Sequence, residues 1–224
     1  FDLWVSLDHP VTDHETGEQV CGLCEFDPGA GEDAVSLLVS PVGEGMTEEL
    51  VLSTFGHELG HAVFDAPGWI ADSKVSPGLF DTPDQQQRKA YRTTTHDIGH
   101  LTSPGVSPAH DEGLLARIVE AEREKEKRIA EVRANEFMGS LLVPRRRLVE
   151  AVIEMAPKYD VTLVACPGLL EEEAPTTFTV KTDGPFGDFD LENLQKAIGK
   201  RFGVHGRFIK VRMARYGLLA DGAS

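Results

Sequence analysis

The residues best suited to chemistry are the run His57-Glu58-Leu59-Gly60-His61. On a helix the two histidines stand four positions apart, so both imidazoles leave the same face and can grip one cation, while Glu58 turns toward the neighbouring position. Neutral imidazole nitrogen suits zinc. A hydrolytic zinc site keeps one position open for water, whose proton is then far easier to lose. Glu58 is the candidate general base that takes this proton and passes it to a leaving amine. The flanks, Phe55-Gly56 and Ala62-Val63, are apolar, so three polar side chains there imply a ligand rather than solvent. Gly60 is costly inside a helix and implies close approach by another element.

Two imidazoles leave a catalytic zinc one protein ligand short. No histidine occurs from Ala62 to Gly68, so the extended metzincin pattern is absent and the third ligand lies farther along. Downstream stands Glu131-Val132-Arg133-Ala134-Asn135-Glu136-Phe137, followed by Leu141-Leu142-Val143-Pro144. His-Glu-Leu-Gly-His combined with Glu-x-x-Ala-Asn-x-Phe and Leu-Leu-x-Pro resembles the ImmA/IrrE family of bacterial metallopeptidases. The resemblance covers these two motifs and their flanks. It implies a gluzincin-like zinc peptidase with one catalytic Zn2+, and Glu131 as the third zinc ligand beside His57 and His61. Asn135 lies one turn after Glu131 on the same face and could orient a ligand. Glu136 is the competing carboxylate, about 140 degrees from Glu131 around the helix. Asp65, one turn beyond His61, could accept a hydrogen bond from its ring, or could be an ordinary exposed helix-end aspartate.

The resemblance also carries a biological expectation: an endopeptidase that cleaves a helix-turn-helix (XRE-type) transcriptional repressor and so releases genes for stress response, mobile elements or phage defence. Two other readings stay open. One is a non-enzymatic regulator in which zinc is structural and a basic C-terminal segment binds DNA; the other is a general peptidase.

The elements that must position these residues can be read from periodicity. Val20–Phe26 and Ala34–Ser40 flank the turn formers Asp27-Pro28-Gly29-Ala30-Gly31 and read as a hairpin in a small antiparallel sheet. Met46–Asp65 reads as the motif helix, with Thr47 as N-cap and Glu48 and Glu49 in its first turn. From about 66 to 110 the chain turns rich in Pro, Gly, Ser, Thr and Asp, which reads as a long insertion, with Asp84–Tyr91 as a candidate short helix. His96, His100 and His110 fall within it; His96-Asp97-Ile98-Gly99-His100 echoes the motif without its glutamate. Asp111–Leu142 reads as a long helix ended by Pro144, with Leu114, Leu115, Ile118, Val119, Ile129, Val132, Phe137 and Leu141 as its apolar face and a solvated, charged middle from Glu122 to Arg128. Arg145–Met155 reads as a helix, Val161–Cys166 and Thr176–Thr182 as strands, and Leu191–Phe202 and His205–Tyr216 as helices meeting at Gly203.

The fold expectation is therefore α+β. It comprises a zincin-like catalytic domain over 1–166 (small antiparallel sheet, His-Glu-x-x-His helix, long ligand-bearing helix) and a C-terminal helical module over 167–224. The module's helices at about 191–216 are helix-turn-helix-like, with Ile198, Phe202, Val204, Ile209 and Met213 at their junction.

At 224 residues and 41% hydrophobic content the chain can bury one core or a core with a small appended module. The formal charge of -15 repels nucleic acid over most of the surface. The stretch from Gln195 to Leu219 departs from that average, with seven basic residues and no acidic one, which makes Arg207, Lys210 and Arg212 candidate nucleic-acid contacts. Cys21 and Cys24 have the spacing of half a zinc site without a second pair; a thiolate from either could instead occupy the open zinc position and hold an enzyme inactive. Three cysteines make no disulfide framework, no run of about 18 apolar residues occurs, and no secretory leader pattern is visible near Phe1. The expectation is a soluble protein of the bacterial cytoplasm with no membrane partner.

Overall fold

A computed structural model describes residues 2–13, 17–74, 89–93, 114–165, 178–182 and 185–219. The fold is mixed α+β, and no described helix is long and apolar enough to cross a membrane. Two compact units are defined, Phe1–Met138 and Gly139–Ser224. The segment 167–175, expected as the boundary, lies outside the described residues.

In the first unit, strands β1 (Asp2–Ser6), β4 (Gly22–Phe26), β5 (Ala34–Val39) and β6 (Lys89–Thr93) form a sheet in the order β1-β5-β4-β6, and β2 (Val11–Thr12) pairs with β3 (Gln19–Val20). The expected hairpin is β4–β5, antiparallel from Gly22 opposite Val39 to Phe26 opposite Val35. The sheet is not wholly antiparallel, because β1 pairs with β5 in parallel. β5 and β6 occupy both edges of β4, leaving β1 the outer edge of β5, and the connection through β2, β3 and β4 is long enough for a parallel return.

Lys89–Tyr91 is strand rather than the end of a short helix. Pairing along the whole of β4, from Phe26 opposite Lys89 to Gly22 opposite Thr93, outweighs the weak local helical signal. The expected insertion thus contributes a strand to the main sheet and a helix, α2 (Ala66–Lys74). His96, His100 and His110 lie outside the described residues.

Helix α1 (Glu48–Phe64) starts as the sequence indicates: Thr47 Oγ1 accepts from the Leu50 amide at 3.2 Å, and Glu48 and Glu49 occupy the first turn, where carboxylates favour the positive helix end. Its inner side and α2 close a core with Cys24, Phe26, Val35, Leu37 and Val39 from the sheet. β5 alternates half-buried and buried residues, whereas all of β4 is buried, since Leu23 faces a second cluster with Val11 and Val20.

Helix α3 (Leu114–Leu142) bears the second motif. Its charged middle is solvated, with Glu122 and Glu124–Arg128 exposed. The apolar face differs from expectation: Ile129 and Val132 are about half exposed, at 53% and 50%, and the buried line in this unit is Ala130, Ala134 and Met138. The reason is steric. Gly60 of α1 meets α3 at Ala134, and at such a distance only small side chains fit between two helices.

The second unit holds the end of α3, α4 (Arg145–Met155), a 3-10 turn (Ala156–Tyr159), the antiparallel pair β7 (Val161–Ala165) and β8 (Phe178–Thr182), α5 (Gly187–Phe202) and α6 (Gly206–Arg215). Gly203 ends α5 in the left-handed region at φ 69°, where glycine carries no Cβ penalty. Of the expected junction residues, Ile198, Val204, Ile209 and Met213 are buried, while Phe202 is half-buried.

Candidate metal centre

The site joins α1 to α3 within the first unit. His57 and His61, four residues apart on α1, bring their Nε2 atoms to 3.1 Å from one another. Glu131 of α3 faces both, with Oε2 3.2 Å from His57 Nε2 and Oε1 3.7 Å from His61 Nε2. Among the described residues these three make the one group of potential metal ligands, their donor atoms all lying within 4.8 Å of each other. Glu136 is not part of it.

Each imidazole is backed at its other nitrogen. His57 Nδ1 is 3.1 Å from Asn135 Oδ1, and His61 Nδ1 is 2.8 Å from Asp65 Oδ2. Asparagine and aspartate oxygens accept, so in the neutral form of each ring Nδ1 carries the proton and Nε2 turns its lone pair toward the other ring and Glu131. Two such lone pairs and a carboxylate therefore converge on one point, an arrangement that repels itself unless a positive charge sits there. The titration behaviour agrees. Burial works against a charged His57, yet the hydrogen bond to Glu131, the charges of Glu58 and Glu131 and the bond to Asn135 outweigh it and raise its pKa. Burial wins at His61, whose pKa is lowered despite Asp65. Two imidazoles and one glutamate are the donor set of a catalytic zinc with an open position, and the residues present fit that ion.

Glu58 is fully buried beside the ligands, with the Thr93 side chain and the Cys24 amide near its carboxylate. Burial, with a smaller push from Glu131, raises its pKa to about 7; His57, the Thr93 side chain and the Cys24 amide offset only part of this. A carboxylate balanced between its two protonation states near neutrality is suited to taking and returning a proton. Gly22 of β4 lets the strand lie against it, since a Cβ there would fall 2.9 Å from Glu58 Cγ. Thr93 and Gly22 carry no sequence signal for this role, because strand pairing brings them to α1.

The other candidate residues separate from this group. Cys21 and Cys24 form no disulfide, are buried in the core and do not belong to the ligand group. Burial first, then the charges of Glu58, Asp65 and Glu25, push the Cys24 thiol well above its usual range, which works against the thiolate an inhibitory ligand needs. Arg207 and Lys210 are exposed on α6 of the second unit. Arg212 is 3% exposed and is not available to nucleic acid. Its guanidinium donates to Tyr216 Oη at 2.8 Å and stacks 4.6 Å from that ring's centre, because α6 turns this position inward.

No protein-family model matches this chain, and no curated protein matches it.

Proposed function

We propose that the chain is a zinc-dependent endopeptidase with a zincin-like catalytic unit, working in the bacterial cytoplasm on a helix-turn-helix repressor. The observation that carries the enzymatic reading is Glu58: a fully buried carboxylate, raised toward neutrality, next to two imidazoles and Glu131 that could hold one ion. A structural zinc clip has no use for such a group, whose burial is costly. The repressor substrate is supported by the resemblance of the two motifs to the ImmA/IrrE family.

His57, His61 and Glu131 would hold the ion. When bound, zinc would polarise the scissile carbonyl and make water at its open position more acidic. Glu58 accepts a proton from the attacking water and delivers it to the departing amine nitrogen. Asn135 and Asp65 keep the two rings turned so that Nε2 faces the ion.

Glu58→Gln tests the proposal. The amide preserves shape and leaves all three ligands in place, so zinc content should stay at that of the parent while cleavage of a co-purified repressor falls by a factor of about 100 to 10,000. Unchanged cleavage would remove Glu58 from the reaction. The exposed Arg207 and Lys210 favour a second reading, a DNA-binding regulator with structural zinc; there Glu58→Gln leaves regulation intact. Casein in place of the repressor separates a dedicated enzyme from a general peptidase.

A further inference from the structure

We infer that Arg133 is a positioning residue of the metal centre, acting through Asp65 on the ring of His61; this rests on the metal-binding reading above. Asp65 closes the C-terminal end of α1, where its amide bonds to the His61 carbonyl at 2.8 Å. Its carboxylate is divided between two partners. Oδ2 accepts from His61 Nδ1 at 2.8 Å, and Oδ1 accepts from Arg133 Nη2, which comes from α3. A carboxylate held by one oxygen can swing about its own bond. Held by both, its plane is fixed, and the imidazole that donates to it is fixed too.

Arg133 is itself held. Its guanidinium lies 5.8 Å from the centre of the Phe64 ring, and Phe64 packs edge to face on Phe137 at 5.6 Å. Arg133 and Phe137, one turn apart on α3, thus engage Phe64 and Asp65, successive residues at the end of α1. Helix α3 therefore supplies one ligand and orients both others: His57 directly through Asn135, and His61 at one remove through Arg133 and Asp65. Helical spacing puts Arg133 about 200 degrees from Glu131. The long arginine side chain spans from that flank to Asp65.

The test measures zinc affinity by chelator competition, and the visible spectrum of the cobalt-substituted chain, on the full-length protein. The parent must first bind one zinc; if it binds none, the metal-binding reading itself fails, separately from this inference. Given that binding, Arg133→Met should weaken zinc about tenfold and alter the cobalt bands, and Arg133→Lys should recover most of both. In an Asp65→Asn background, Arg133→Met should cost nothing more, because its route to the metal is already cut. Parental affinity and spectrum in Arg133→Met, or an equal loss in both backgrounds, would overturn the inference. Should Arg133→Met fail to fold, Arg133→Gln is read by the same criteria.

Discussion

Gly60 and Ala134 set the spacing of the two ligand-bearing helices: a Cβ on Gly60 would lie 2.8 Å from Ala134 Cα and 3.1 Å from its carbonyl oxygen. Both obstacles are backbone atoms, which cannot rotate away. The ligands sit directly beside this contact, at His57 and His61 on one helix and Glu131 on the other.

Gly60→Ala should therefore destabilise the protein, although alanine is the better helix former. The propensity gain is about 1 kcal/mol, whereas forcing a methyl into a filled interface costs about 1 to 3 kcal/mol. The excess appears as a shift of α3, which should also weaken zinc by displacing Glu131. Thermal unfolding of the chelated protein and zinc competition report the two effects. A raised melting temperature with unchanged zinc affinity would contradict the close contact.

Asn135→Ala should lower zinc affinity by a factor of about 10 to 100, because His57 loses the acceptor that fixes its ring. Asn135→Asp keeps an acceptor and should retain most of the affinity. Glu136→Gln, on the neighbouring residue but outside the ligand group, should leave zinc binding at the parental level, while Glu131→Gln should weaken it most. A larger loss at Glu136 than at Glu131 would reverse the assignment of the third ligand.

The contrast between these neighbours shows what local sequence can carry. His57, Glu58 and His61 are legible because one helix fixes their relation, and Thr47, Pro144 and Gly203 mark helix ends by chemistry confined to a turn. Gly60 announced a close approach without naming its partner. Thr93 and Gly22 were illegible because they reach Glu58 only through the pairing of β4 with β6 across a long interval. Periodicity also misplaced the buried line of α3. It ranks residues by hydrophobicity, while the contact with Gly60 selects for small size and so buries Ala134 ahead of Ile129 and Val132.

The basic C-terminal residues invite one last separation. Arg212 contributes to the packing of the second unit: it is buried, stacked on Tyr216 and bonded to that hydroxyl, which in turn donates to the Val143 carbonyl at 3.0 Å. Arg212→Ala should cost about 1 to 3 kcal/mol through lost packing of a buried side chain and a half-buried hydroxyl deprived of its donor. Arg207→Ala with Lys210→Ala, both exposed, should change stability by less than about 0.5 kcal/mol at each position. If α6 contacts DNA, the double variant should weaken binding to all sequences and flatten its salt dependence, while leaving the melting temperature at the parental value. A parental melting temperature in Arg212→Ala, together with weakened DNA binding, would return Arg212 to the surface and overturn its structural assignment.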